Sequence, residues 1–153
     1  ATFFAARLAA GVGMDRLYLS EQNESVSLWL PPLQEGDPEP SWDAVLAATV
    51  ALMGEEETMK RFAALEPMIE AKPKAPHWYL AFVGTRSESR GKGLGSALIK
   101  AVTDRCDAEG IPAALESSDP ANVPLYERHG FRVTQVVEIQ NGPPIPMMWR
   151  DPA

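Results

Sequence analysis

Cysteine is nearly absent from this chain: Cys106 stands alone among 153 residues, so no internal disulfide can form and no cysteine cluster can hold a metal. Histidine is almost as scarce. His77 and His129 are its two instances, and a lone histidine without a partner reads as a structural residue, so neither is given a role. A basic excess is also missing, since 14 scattered Lys and Arg against 21 Asp and Glu leave a net charge of -7. That balance excludes a nonspecific nucleic-acid binder, which needs a basic stripe, and it is compatible with a cationic amine substrate. No apolar run reaches transmembrane length, and Ala1 to Ala10 lacks the basic start and long apolar stretch of a signal peptide. The expectation is a soluble, cytoplasmic protein with no membrane partner and no metal. Repeats and low-complexity segments are lacking too, while 45% hydrophobic residues suffice for a real core, so residues 1–153 are expected to form a single domain.

What the chain does have is concentrated in Arg90-Gly91-Lys92-Gly93-Leu94-Gly95-Ser96. Before it, His77 to Val83 is an apolar, aromatic-rich run with the character of a buried strand. After it, Leu94, Ala97, Leu98, Ala101, Val102, Arg105 and Cys106 recur at helical spacing. Strand, glycine loop and helix in that order make an anion cradle: glycines admit positive φ and close approach, and the first helical turn offers unpaired N–H donors. An ordinary tight turn into a helix is the alternative for the loop taken alone. Two better-known phosphate loops fail here. The Walker pattern needs Ser or Thr after Gly-Lys, and Gly93 follows Lys92. The dinucleotide pattern places Leu98 or Ser96 where its third glycine belongs.

Arg90, Gly93 and Gly95 do fit Arg-x-x-Gly-x-Gly, and the loop resembles the acyl-CoA pyrophosphate loop of the GNAT superfamily of N-acetyltransferases. A second stretch, Leu115-Glu116-Ser117-Ser118-Asp119-Pro120-Ala121-Asn122-Val123-Pro124-Leu125-Tyr126-Glu127-Arg128-His129-Gly130-Phe131, resembles that superfamily's other signature in the right order. Within the superfamily, Lys72 to Ala81, Gly91 to Ala97 and Gly110 to Ala113 are most similar to puromycin N-acetyltransferase-like members, over roughly the C-terminal half. The resemblance implies an α/β fold with a mixed α+β sheet, the GNAT acyl-CoA N-acyltransferase fold. Thr2, Phe3, Phe4, Ala6, Leu8 and Ala9 look like the tail of a helix ending at Gly11 and Gly13, which implies a fold lacking its first strand and helix.

The remaining elements follow from local signals. Asp15 to Ser20 and Ser25 to Leu30 read as a hairpin, stopped by Pro31 and Pro32, with Gln34 to Pro40 as a polar loop. Ser41 caps a predicted helix with Val45, Leu46, Thr49, Val50 and Leu52 that ends near Gly54. Glu55, Glu56 and Glu57 suit the first turn of the next helix, with Met59, Phe62, Ala63 and Leu65 on its apolar side and Pro67 breaking it. Lys72 to Pro76 is a stiff linker. Gly110 is expected to end the signature helix, Ala113 to Glu116 to form a short strand, and Asn122 to Gly130 to hold a short helix. Phe131 to Gln140 and Pro146 to Arg150 are the last strands, joined by a turn at Asn141 to Pro144.

The resemblance also implies chemistry. Acetyl-CoA would be the co-substrate, its pyrophosphate on the N–H groups of Arg90, Gly91, Lys92, Gly93, Leu94, Gly95 and Ser96, and its pantetheine arm along Val83, Gly84 and Thr85. Gly84 suits close approach of a ligand, with a simple bulge as the alternative. Thr85 stands where valine is usual in the superfamily. Tyr126 corresponds to the general acid for the departing thiolate, or packs on Phe131; Asn122 would bond the pantetheine, or cap the short helix. Glu116 is the candidate base, with a solvated strand-end carboxylate as the alternative, and Glu127 is expected to face solvent. The expected function is acetylation of a small-molecule primary amine, antibiotic-like or aminoacyl. Acetylation of a protein or peptide, or a non-catalytic acyl-CoA-binding module, are the alternatives. An open sheet edge would invite a homodimer.

Overall fold

The computed structural model describes residues 16–33, 43–140 and 142–153. The helix tail ending at Gly11 and Gly13, the first strand's start at Asp15, the 34–40 loop, the Ser41 cap and Asn141 lie outside them. Six strands form one mixed sheet in the order β1-β2-β3-β4-β6-β5: β1 (Leu17–Leu19), β2 (Ser25–Leu30), β3 (Trp78–Thr85), β4 (Ala113–Glu116), β5 (Arg132–Val137) and β6 (Ile145–Arg150). Among the described residues five α-helices accompany them, α1 (Asp43–Met53), α2 (Glu55–Ala64), α3 (Glu66–Glu70), α4 (Leu94–Glu109) and α5 (Val123–Glu127). The mixed α/β architecture expected from the sequence is present. No helix among the described residues is long and apolar enough to cross a membrane.

Strand alternation divides the core between the two faces of the sheet. Met148 of β6 shares one face with Trp29, Trp78, Leu80, Ala113 and Leu115, packed against Ile99, Val102 and Cys106 of α4 and against Tyr126 and Phe131. Its neighbour Met147 turns to the other face and joins Val137 and Ile145 against Met68 of α3 and Ala71. Ile99, Val102 and Cys106 are fully buried. At the spacing of one helical stripe, each such aliphatic side chain contributes about 1.5–3 kcal/mol. Gly110 closes α4 in the left-handed conformation at φ 65, which lets Ile111 N–H return to the Cys106 carbonyl at 2.9 Å.

Two local expectations are corrected. The apolar side expected for α2 does not meet the sheet: Met59 is 57% and Leu65 36% exposed, while Thr58 is buried with its hydroxyl donating to the Gly54 carbonyl at 2.7 Å. That helix packs on α1 rather than on a strand. Pro67 sits in the first turn of α3 instead of breaking α2, at a position where its missing N–H has no helical acceptor to lose.

Candidate active site

The glycine loop is shaped as its composition demands. Gly91 and Gly93 both hold φ 77, a left-handed conformation that penalises any Cβ, and open space surrounds the position a Cβ would take. Gly93 is the N-cap of α4, and the first bond of the helical ladder runs from Ala97 N–H to the Gly93 carbonyl at 2.9 Å. The N–H groups of Leu94, Gly95 and Ser96 therefore stand ahead of the ladder, at the positive end of a 16-residue helix. At Gly95 α4 lies close on β3: a Cβ there would stand 3.4 Å from Thr85 Oγ1 and 3.6 Å from Val83 Cγ2, at ordinary contact distance.

The two loop cations differ in circumstance. Lys92 Nζ lies 3.4 Å from Glu24 Oε1 and 3.3 Å from Ser89 Oγ, and the buried Ser89 hydroxyl also donates to Glu24. The Ser89 hydrogen bond, aided by Lys92, holds the Glu24 carboxyl below the usual range. Arg90 is exposed and forms no ion pair among the described residues, whereas Lys92 is already shared with a carboxylate.

Beside the loop the sheet opens. Strand β3 pairs with β2 along its length, from Tyr79 opposite Leu30 to Thr85 opposite Ser25, yet its parallel pairing with β4 stops after Trp78–Ala113 and Tyr79–Ala114. The register between Leu28 and Trp29 skips Ala81, which places a bulge where the two strands part. The alternative of a bulge at Gly84 is thereby displaced by three residues. Among the described residues β4 does not pair with β3 beyond Tyr79, so Val83, Gly84 and Thr85 lie beside the gap, and nothing lies within 4 Å of a Cβ built on Gly84. The threonine at position 85 also has a physical reason: its hydroxyl lies 2.9 Å from Ser25 Oγ, which bonds the Gly84 carbonyl at 3.0 Å.

Tyr126 and Glu116 lie on opposite faces of the sheet. Tyr126 is 8% exposed, sits edge-on to Phe131 at 6.4 Å and belongs to the α4-side core, so its packing role is real. Burial raises the pKa of its phenol, which keeps the proton in place at neutral pH. Leu115 points into that same core, so its neighbour Glu116 turns the other way, opposite Met147, and Glu116 Oε2 is buried with no hydrogen-bond partner among the described residues. The Asn122 side chain does not cap α5; it is exposed and available, whereas Asp119 caps the preceding short turn by accepting from Ala121 N–H at 2.9 Å. Glu127 is exposed. Burial pushes the Cys106 thiol up to about 11, which leaves it inert.

Sequence reasoning missed the residue that joins the two motifs. His129 Nε2 lies 2.7 Å from Ser96 Oγ in the first turn of α4. The main chain of His129 is equally engaged: its N–H donates to the Tyr126 carbonyl at 2.9 Å, and its carbonyl accepts from Arg150 Nε at 2.8 Å. Arg150 is 8% exposed and forms a fork with both Asp107 oxygens at 2.7 Å. That contact drops the Asp107 pKa to about 2. His77, by contrast, bonds only the Ala75 carbonyl in an exposed loop.

An uncharacterized N-acetyltransferase of Schizosaccharomyces pombe is 40% identical over 78 residues, 49% of this chain and 32% of that protein. L-methionine sulfoximine/L-methionine sulfone acetyltransferases of Pseudomonas aeruginosa and Pseudomonas paraeruginosa are 40% identical over 55 residues, 34% of this chain and 32% of theirs. The chain thus matches about a third of the length of these relatives. Among solved structures, a histone acetyltransferase HPA2 and related acetyltransferase from Corynebacterium glutamicum shares the fold with a TM-score of 0.65 at 23% identity, over 99% of this chain and 75% of that one. The model of the Acetyltransferase (GNAT) family matches residues 26–131, from β2 through both motifs to Phe131, and the chain belongs to that family.

Proposed function

We propose that this chain transfers the acetyl group of acetyl-CoA to a primary amine of a small molecule, with residues 1–153 acting as a single domain. The observation that carries the reading is the meeting of three features at one place: a left-handed glycine loop, a helix N-terminus with N–H groups ahead of its ladder, and a strand, β3, from which β4 parts after Tyr79. The residues fit the coenzyme. Leu94, Gly95 and Ser96 would take the pyrophosphate on main-chain N–H groups with Arg90 as countercharge, and Val83 to Thr85 would pair with the pantetheine amides, with Asn122 as a further donor. Acetyl-CoA supplies the thioester carbonyl that the amine attacks.

The chain's own groups account for the protons. Glu116, on the α3-side face, accepts a proton from the incoming ammonium, directly or through water, so that the free amine can form the new C–N bond. As the C–S bond breaks, Tyr126 on the α4-side face donates its proton to the leaving sulfur. The base and the acid are thus separated by the sheet itself, which keeps one from neutralising the other. An open surface groove of about 400 Å³ lies at the β5 edge, between Pro67, Glu70 and Ala71 on one side and Gln135 to Glu138 on the other; none of the proposed site residues lines it, and Gln135, Met147 and Glu116, opposite one another on β5, β6 and β4, put two inter-strand spacings of about 4.8 Å between it and the base, so it is not assigned to the acceptor amine. Relatives named for L-methionine sulfoximine and L-methionine sulfone support a small acceptor, and the likeness to puromycin N-acetyltransferase-like members favours an aminoacyl compound.

Thermal-shift titration with acetyl-CoA, CoA and ATP tests the coenzyme site, because a ligand of the folded state raises its melting temperature. The expected result is a shift with both CoA species and none with ATP. Thiol release from acetyl-CoA over a panel of small amines then tests transfer, and Tyr126→Phe is expected to slow it by about 10²-fold or more while leaving CoA affinity intact. No shift with CoA, or equal turnover by the phenylalanine variant, would overturn the assignment.

A further inference from the structure

We propose that His129 is a positioning residue for the coenzyme loop: its ring orients the Ser96 hydroxyl in the anion-facing turn of α4, while its main chain carries the same restraint to the helix that bears Tyr126. The inference rests on the coenzyme reading above and adds to it a residue to which the sequence assigned no role. Its basis is the 2.7 Å contact between His129 Nε2 and Ser96 Oγ, 33 residues apart in sequence. Ser96 is the third residue of α4, where side-chain and main-chain donors converge on a bound anion.

The ring is half-buried, and the groups around it are specific. Burial lowers the His129 pKa first; Arg128 beside it, Arg150 from β6 and Lys100 from α4 lower it further, and Asp104 from α4 opposes them. The free protein therefore carries a neutral ring at pH 7. A neutral imidazole can take the Ser96 hydroxyl hydrogen onto Nε2, which turns that hydrogen away from a ligand. A protonated imidazole can only donate to Ser96 Oγ, which leaves the hydroxyl hydrogen free to point at a phosphate oxygen. An anion at the loop favours the protonated ring for both reasons, so binding takes up a proton. Since the His129 pKa rises in the complex, affinity grows as pH falls from the complex's pKa to the free protein's lower one, and levels off below it.

The same residue fixes Tyr126. The His129 N–H ends the Tyr126 turn, and its carbonyl is held by Arg150, which Asp107 anchors near the far end of α4. The segment behind the general acid is thus tied to both ends of the coenzyme helix, at Ser96 through the ring and at Asp107 through Arg150.

The test measures the dissociation constant of CoA by isothermal titration between pH 5.5 and 8.5 for the wild type, His129→Gln and His129→Ala. Glutamine can reach the serine hydroxyl and cannot titrate. The expected result is tighter CoA binding by the wild type toward low pH, a flat profile for His129→Gln within about twofold of the wild type at pH 8, and about tenfold weaker binding by His129→Ala at pH 5.5, the equivalent of one hydrogen bond, with the gap closing toward pH 8.5. A wild-type profile without slope, a slope that persists in His129→Gln, or CoA binding unchanged in His129→Ala at pH 5.5 would each overturn the proposal. Failure of the wild type to bind CoA at any pH would overturn the coenzyme reading itself, a result visible before any variant is made.

Discussion

Replacing Asp107 with Asn should unsettle the far anchor of the site without touching a group that meets the ligand. The carboxylate receives both ends of the Arg150 fork and the Ala153 N–H, and its pKa falls from 3.8 to about 2. A shift of that size corresponds to about 2.4 kcal/mol of preference for the charged form. The Asp107 side chain retains 27% exposure against 10% for Arg150, so solvent screening reduces the figure to about 2 kcal/mol. Stranding the buried guanidinium adds to the loss, and asparagine returns part of it through its carbonyl; the expected net destabilisation is about 2–3 kcal/mol. For a chain of this size that lowers the melting temperature by about 5–10 °C. The sign of the pH dependence follows from the depressed pKa: the pair's stabilisation is fully present above about pH 4 and is lost as pH falls toward 2. Urea denaturation at pH 7 and pH 3 is the assay, with Arg150→Met added to Asp107→Asn to recover most of the loss by removing the stranded charge. A melting temperature within about 1 °C of the wild type at pH 7, or an equal acid-induced loss in wild type and variant, would refute the reasoning.

Three further outcomes are expected. Glu24→Gln frees Lys92 for a ligand and should tighten CoA binding about two- to fivefold by isothermal titration, most clearly at low salt; weaker binding would mean that Glu24 orders the loop rather than competing for its cation. Gly95→Ala adds a Cβ against Thr85 and Val83 at ordinary contact distance, so helix propensity should raise the melting temperature by about 2–3 °C with CoA affinity unchanged, whereas Gly93→Ala, at φ 77, should lower stability by about 1–2 kcal/mol. Glu116→Gln should depress thiol release about 10²-fold near neutral pH while CoA affinity stays within about twofold, and recovery of turnover at higher pH, where the amine arrives already neutral, would identify the missing group as the base.

The features legible in the sequence are those fixed by neighbours along the chain. Gly91 and Gly93 announce a left-handed loop because no other residue adopts that backbone cheaply, and Gly110 announces the end of α4 for the same reason. The runs Ser25–Leu30 and Ala113–Glu116 are strands with the bounds their composition suggests. What could not be read depends on partners far away. Lys92 meets Glu24 across 68 residues, and nothing in either local sequence signals the other. The early parting of β3 and β4 is a matter of register, set by which residue of β3 is skipped opposite β2, and Ala81 carries no mark of it. The exposure of Met59 likewise reflects where α2 finds its packing partner, since helical spacing gives a stripe its direction on the helix but not its destination.

The parting of β3 from β4 has a consequence beyond the reaction. A six-stranded sheet normally exposes two raw borders; this one has a third, in its middle, because β1-β2-β3 and β4-β6-β5 are joined by two residue pairs only. Among the described residues the β4 pairing is not continued along this seam, and its amides should exchange with deuterium faster than the amides facing β2. A seam of that kind is also a template on which the extended segment of another chain could lay itself down. On the coenzyme reading proposed above, the pantetheine arm, with its own amides, would close it. Coenzyme bound there would protect the seam's amides from exchange and make the two half-sheets melt as one, so that the substrate of the reaction also serves as the piece that completes the sheet.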